Sequence, residues 1–316
     1  MIYLSICIPT YNRSGLLAET IESIINEQEF LDTDEIEIVV SDNCSSDNTT
    51  DVMCSYLEKY PNKIKYNRNK ENIISYNFEK VLSLGSGAIL KLNNDTLPLK
   101  KGSLGTMLTI TKYCVENNLI PFFLNERLPG AENRKILDNK VSFISAISFW
   151  CTWVGAFSIS KKAFDNLTSF SKAAALNLTQ VDVQMQLLNK GHRYLLVNDH
   201  LSLSVAPPQK GGYDLTEIFI TNYFSLLDEY FITDDEIKAS AKEKNRTLYK
   251  FLLPFFLDIY KSAQNKDQVF VFSNHNYKER IKKEFSKYTY IAFELKLFFE
   301  IKKLDLRKTV KKLIGK

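Results

Sequence analysis

Three short apolar runs in the first hundred residues each stop at a cluster of polar side chains, and this pattern limits the fold more than any other feature of the chain. Residues 3–9 ("YLSICIP") lead into Thr10–Tyr11–Asn12–Arg13. Residues 35–40 ("EIEIVV") lead into Ser41–Asp42–Asn43, and residues 88–92 ("AILKL") into Asn93–Asn94–Asp95. The segments between them read as helices. In "GLLAETIESIINEQ", Leu16, Leu17, Ile21, Ile24 and Ile25 recur at helical spacing. "CSSDNTTDVMCSYLEKY" follows with Ser46 or Asp47 as a cap, then a short strand, "KIKYNRN", and a further helix, "SYNFEKVLSLGS". Strand–helix alternation at this spacing predicts an α/β fold with a mostly parallel sheet covered by helices. Ligands bind beyond the carboxyl ends of the strands in such sheets. The three polar clusters are therefore expected to meet at one edge, although each alone is also an ordinary turn or helix cap.

Farther along, residues 103–119 read as a helix, and "IPFFLNER", "GAFSIS" and "RYLLVND" as strands. "RLPGAENRKILDN" reads as loop, and "QVDVQMQLLNKG" as a helix stopped by Gly191. The Pro/Gly-rich "SVAPPQKGGYD" marks the expected boundary. It divides the chain into residues 1–213 and a helical, aromatic-rich region over 214–316.

A net charge of +4 on 316 residues does not point to nucleic acid as a partner. That charge is unevenly placed, since residues 280–316 hold 12 Lys/Arg against 4 Asp/Glu. In this tail, basic residues alternate with Phe, Tyr, Ile and Leu. That composition suits a helix lying on an anionic membrane surface, and equally one docked on its own domain. The five cysteines, Cys7, Cys44, Cys54, Cys114 and Cys151, are odd in number and fit neither a zinc site nor a disulfide framework. A reducing, cytoplasmic setting is expected, with a peripheral position at the inner face of the cytoplasmic membrane as its companion. The apolar N-terminus lacks a basic start and a cleavage site and reads as a strand.

In order and spacing, "SICIPTYNR", "IVVSDNCSSDNT" and "AILKLNNDT" resemble the N-terminal signatures of family 2 glycosyltransferases, which have the GT-A fold. The resemblance implies an inverting transfer of a sugar from a nucleoside diphosphate donor, with a UDP-sugar favoured. The implied acceptor is a glycan or lipid-linked saccharide, in bacterial surface polysaccharide synthesis. It places Thr10, Tyr11, Arg13, Asp42, Asn93 and Asn94 around the nucleotide, with Asp42 accepting from a base N–H. Asp95 matches the last carboxylate of a D-x-D motif that holds Mn²⁺ or Mg²⁺. Asn93 stands where the family usually has the first. A late histidine, His200, is the candidate to complete the metal shell. The family's usual base position is Gln180 here, so Asp182, two residues on, becomes the expected catalytic base. Trp153 stands as an acceptor-stacking residue or as core packing, and Lys210 as part of a phosphate-facing lid or of a linker. The departures at Asn93 and Gln180 leave a second reading, a catalytically degenerate GT-A domain serving as a binding or scaffold subunit.

Overall fold

Strand β1 (Leu4–Thr10) is buried on both faces, as an interior strand of a helix-covered sheet must be. Leu4, Ile6 and Ile8 point to one face, where they pack with Leu17, Ile21 and Ile24 of helix α1 (Ser14–Ile25). Each such fully buried side chain contributes about 1.5–3 kcal/mol. The computed structural model describes residues 1–130, 132–167, 169–170, 172–205, 210–264, 270–273 and 276–313. For 210–212, 264, 270–273 and 308–313 it describes the backbone only.

The chain divides into two compact units, Met1–Val205 and Ala206–Lys316. In the first, β1 is followed by α1, the short α2 (Gln28–Asp32), β2 (Ile36–Asp42), α3 (Thr49–Lys59), β3 (Ile64–Arg68), α4 (Tyr76–Ser83) and β4 (Ile89–Leu92). Next come α5 (Ser103–Glu116), β5 (Leu119–Phe123), β6 (Arg134–Leu137), α6 (Lys140–Ile147), β7 (Ser158–Ser160), α7 (Lys161–Asp165), α8 (Thr179–Asn189) and β8 (Arg193–Val197). The main sheet has the order β3-β2-β1-β4-β7. Its first four strands are parallel, and β7 runs antiparallel to β4. A smaller sheet has the order β5-β8-β6. The expected mostly parallel, helix-covered sheet is present.

The order of the main sheet fixes where a ligand can sit. From β1 the chain steps outward to β2 and β3, then returns to the other side of β1 for β4. The helical connections therefore diverge between β1 and β4, opening a crevice at their carboxyl ends. The turn into β4 passes so close to β1 that a Cβ on Gly87 would lie 2.6 Å from the Ser5 nitrogen, which only glycine allows.

The second unit holds β9 (Lys210–Asp214) and β10 (Phe270–Ser273), paired in parallel. Its helices are α9 (Tyr223–Tyr230), α10 (Asp234–Arg246), α11 (Leu253–Gln264), α12 (Tyr277–Glu284) and α13 (Lys287–Leu313). Arg280 of α12 pairs with Asp214 at the end of β9 (2.7 Å). Three strands differ from expectation: β6 within a segment read as loop, β9 within the expected Pro/Gly-rich boundary, and β10 within a region read as wholly helical.

Candidate active site

Thr10, the last residue of β1, holds the two edges of the crevice together. Its backbone is in register with Asp42 on β2. Its hydroxyl donates to Asp95 Oδ2, just past β4, at 2.9 Å. The other oxygen, Asp95 Oδ1, accepts from Arg13 Nη1 at 3.0 Å, and the Asp95 backbone carbonyl accepts from the Thr20 hydroxyl of α1 at 2.9 Å. Two residues thus fix the carboxylate at the switch point, and a third fixes its backbone. Burial pushes the Asp95 pKa above the usual carboxylate value, against the opposing pull of the Arg13 guanidinium and the Thr10 hydroxyl. A buried carboxylate in this state gains from an added cation.

An open cleft of about 290 Å³ adjoins this cluster. Thr10, Tyr11, Arg13, Asn94 and Asp95 line it, so five of the expected site residues do come together, joined by Asn43, Ile74, Asn77 and Phe78. The wall made by these last residues rests on a chain of carboxamides that the motif reading missed. Asn77 accepts from the Ser41 hydroxyl (2.7 Å) and from Asn69 Nδ2 (2.9 Å). Asn43 donates to Asn72 Oδ1 (2.6 Å) and accepts from the Ile73 N–H (2.8 Å). The density of asparagines in "NRNKENIISYN" is the sequence signal for this network.

The network forces one residue into an unusual conformation. Ile74 has φ of 51°, a region that β-branched residues rarely enter, and its N–H donates to Asn72 Oδ1 at 2.9 Å. Its side chain is 72 % exposed, so it makes little packing that would offset the strain. Ile74→Gly is therefore expected to leave stability unchanged or to raise it by up to about 1 kcal/mol, read from the denaturant midpoint. A loss of more than about 1 kcal/mol would show that the side chain packs after all.

Several expected site residues lie elsewhere. Asn93 is fully buried and turned inward; its Nδ2 donates to the carbonyls of Asn94 and Leu97, and its Oδ1 accepts from Lys91 Nζ at 3.0 Å. It does not line the cleft beside Asp95. Asp42 is also fully buried behind Asn43. Its Oδ1 accepts from the Ser45 N–H (2.8 Å) and its Oδ2 from the Tyr66 hydroxyl (3.0 Å), so in this conformation it braces the turn after β2 instead of meeting a base. Asp182, in the first turn of α8, is fully buried, accepts from Gln186 Nε2 (2.8 Å) and does not line the cleft. His200 lines a different cleft with Lys100, Lys101 and Asp199, and its Nδ1 lies 3.3 Å from Glu126, so it does not complete a shell with Asp95. Trp153 sits against the Arg127 guanidinium (4.6 Å to the ring centre) and faces a small internal space beside Lys91 and Gly155, apart from the Asp95 cleft. Lys210 has its backbone in β9, and its side chain lies outside the described residues.

Lys91 is the functional neighbour that sequence reasoning overlooked. Its position inside β4 reads as a solvent-facing alternation, yet it is 1 % exposed. Its ammonium donates to three carbonyl oxygens, those of Leu92 (3.0 Å), the Asn93 side chain (3.0 Å) and Gly155 (3.1 Å). Burial pulls its pKa down to about 7. Lys91 thereby anchors Asn93, the first residue of the Asn93–Asn94–Asp95 turn, from beneath.

Residues 5–98 match the family model described as Glycosyl transferase family 2. That segment is similar to family 2 of the glycosyltransferases. It contains β1 to β4 and the Thr10–Asp95 contact, so the family 2 segment and the switch-point crevice coincide. The chain is 38 % identical over 108 residues to the abequosyltransferase RfbV of Salmonella typhimurium. It is likewise 38 % identical over 107 residues to the GalNAc(5)-diNAcBac-PP-undecaprenol beta-1,3-glucosyltransferase of Campylobacter jejuni. These matches span 34 % and 33 % of this chain, and about a third of each relative's length. Among solved structures, S. aureus TarS 1-349 in complex with UDP-GlcNAc is similar with a TM-score of 0.56 and 17 % identity, over 79 % of this chain and 73 % of that one. The mannosyltransferase PcManGT from Pyrobaculum calidifontis gives a TM-score of 0.51 and 13 % identity, over 94 % and 87 %. At these identities the likeness shows a GT-A-like fold.

Proposed function

We propose that this chain is a family 2 glycosyltransferase that moves a sugar, with inversion, from a nucleoside diphosphate donor to a glycan or lipid-linked saccharide in bacterial surface polysaccharide synthesis. One observation carries the reading. Asp95, Thr10 and Arg13 are fixed together at the switch point of the sheet, on the wall of a cleft large enough for a nucleotide. Two similar proteins support the substrate classes: TarS forms a complex with UDP-GlcNAc, and the Campylobacter protein is named for an undecaprenol-linked acceptor.

The donor would lie with its diphosphate toward Arg13 and Asp95 and its nucleoside along Tyr11, Asn43, Ile74 and Phe78. Arg13, half-exposed, meets phosphate charge directly. PcManGT is described with GDP-Man and Mn²⁺. In this chain the fit for such a metal is a single buried carboxylate. Among the described residues no three His, Cys, Asp or Glu side chains gather as a metal site. Mg²⁺-type binding uses one or two carboxylates together with substrate phosphates. Asp95 would therefore hold Mn²⁺ or Mg²⁺ only with the diphosphate already present. When bound, the metal neutralises charge on the diphosphate leaving group. Arg13 and the Thr10 hydroxyl keep Asp95 oriented toward that position.

The test is product analysis with a UDP-sugar and a saccharide acceptor. The expected products are UDP and a glycoside of inverted anomeric configuration, read by NMR. A retained configuration contradicts single displacement, and release of UMP with a sugar phosphate contradicts sugar transfer.

A further inference from the structure

Helix α13 presents a face that its own unit does not cover. The helix runs from Lys287 to Leu313, about 40 Å at 1.5 Å per residue. One side is packed: Phe293 is fully buried against Phe256 and Tyr249, and Asp305 accepts from the Tyr260 hydroxyl at 2.9 Å. On the other side, Tyr288 (85 % exposed), Ile291, Leu295, Phe298, Phe299 (63 % exposed) and Leu306 stand in solvent. At about 100° per residue these six fall within one arc of roughly 100°. Lys296, Lys303 and Arg307 form the neighbouring flank, and Lys302 lies inside the stripe, 5.7 Å from the Phe298 ring centre.

The composition of this face is the decisive point. Every exposed residue from Lys287 to Arg307 is either apolar or basic. Of the acidic residues of the same stretch, Glu294 and Asp305 are turned toward the packed side, and Glu300 is half-exposed beside the basic flank. Glu294 pairs with Lys278 and Glu300 with Lys303. An ordinary solvent face mixes both signs of charge and carries few large apolar side chains. No helix among the described residues is long and apolar enough to cross a membrane.

We infer that α13 lies flat on an anionic lipid surface, its aromatic and aliphatic stripe entering the headgroup boundary and its lysines and arginine meeting lipid phosphates. The charge pattern favours this occupant over the others. A second copy would bring the same cations against these cations, and a neutral apolar protein groove would leave the basic flank unanswered. The inference does not depend on the sugar-transfer reading, because it concerns only the second unit and is read out without donor or acceptor.

The experiment is co-sedimentation of the full chain with vesicles of phosphatidylcholine alone, or of phosphatidylcholine with phosphatidylglycerol. Binding is expected to be more than about tenfold stronger on the anionic vesicles and to weaken with added salt. The double variant Phe298→Glu, Phe299→Glu changes only exposed side chains. It is expected to lose vesicle binding while its melting temperature stays within about 2 °C of the unaltered chain. A second variant, Lys296→Gln with Lys303→Gln and Arg307→Gln, is expected to lose the preference for anionic lipid. Equal binding to both vesicles, binding to neither, or concentration-dependent dimerisation abolished by the Phe298/Phe299 variant overturns the inference.

Discussion

Asp95→Asn is expected to lower kcat for sugar transfer by about a hundredfold or more while leaving the fold at least as stable. The catalytic loss follows from the proposed role. Removing one preorganised electrostatic partner from an active site typically costs about 10²–10³ in kcat, and here the partner is the carboxylate lining the diphosphate end of the cleft. The stability expectation follows from the sign of the pKa shift. Burial raises the folded-state Asp95 pKa above its ordinary value of 3.8. Between 3.8 and that raised value the folded protein holds a proton that the unfolded chain has lost, so stability falls as pH rises through the window. At neutral pH the ionised carboxylate is thus a net burden. An asparagine, whose oxygen still accepts from Thr10 or Arg13, relieves it. Steady-state kinetics and denaturant midpoints, measured on the same preparations, check both halves. Unchanged kcat removes Asp95 from the mechanism, and a collapse of stability makes it structural.

Lys91→Met should produce the largest change in stability, a loss of about 2–4 kcal/mol. Three carbonyl oxygens, two of them backbone, lose their buried donor, and each orphaned acceptor costs about 1–3 kcal/mol. Removing the burden of a buried ammonium offsets part of this loss. The pH dependence separates the two effects. Lys91 has a folded pKa near 7 against an ordinary value of 10.5. Above 10.5 it is neutral in both the folded and the unfolded chain. As pH falls from 10.5 toward 7 the unfolded chain takes up a proton that the folded protein does not, and stability declines. At most this is about 1.4 kcal/mol per pH unit. The unaltered protein should therefore gain stability from pH 7 to 10.5 through this residue, and Lys91→Met should flatten that slope. The same variant frees Asn93, so donor KM should rise as the Asn94–Asp95 turn loosens. A slope unchanged by Lys91→Met contradicts the lowered pKa of Lys91.

How much of this was readable in the sequence depends on what each feature answers to. The parallel strands β1, β2 and β4 were legible because strands buried on both faces are mostly apolar, and their ends because the polar clusters follow directly. Strand β6 was not legible: Arg134, Lys135 and Ile136 are exposed, so no alternation marks "RKIL". Nor was β9, because "KGGYD" has turn composition and becomes a strand by pairing with β10, more than fifty residues away. At the site, Thr10, Tyr11, Arg13, Asn94 and Asp95 were identified by position after a strand, which fixes backbone placement. Side-chain direction is set by tertiary neighbours. Asn93 turns inward because the ammonium of Lys91 lies beneath it, and Asp42 turns to Ser45 and Tyr66. Asp182 was chosen as the sole carboxylate in its stretch, a criterion blind to its burial in α8. Lys91 itself escaped notice because a lysine within a strand normally reads as solvent-facing.

The central claim is that the ends of β1 and β4 form one notch that binds a sugar diphosphate together with a divalent metal. Titration calorimetry with UDP tests it most directly, performed with and without Mn²⁺ on the unaltered protein and on Asp95→Asn. The account predicts no binding of Mn²⁺ alone, UDP binding strengthened at least about tenfold by Mn²⁺, and loss of that enhancement in Asp95→Asn. UDP binding indifferent to both the metal and the substitution would contradict it.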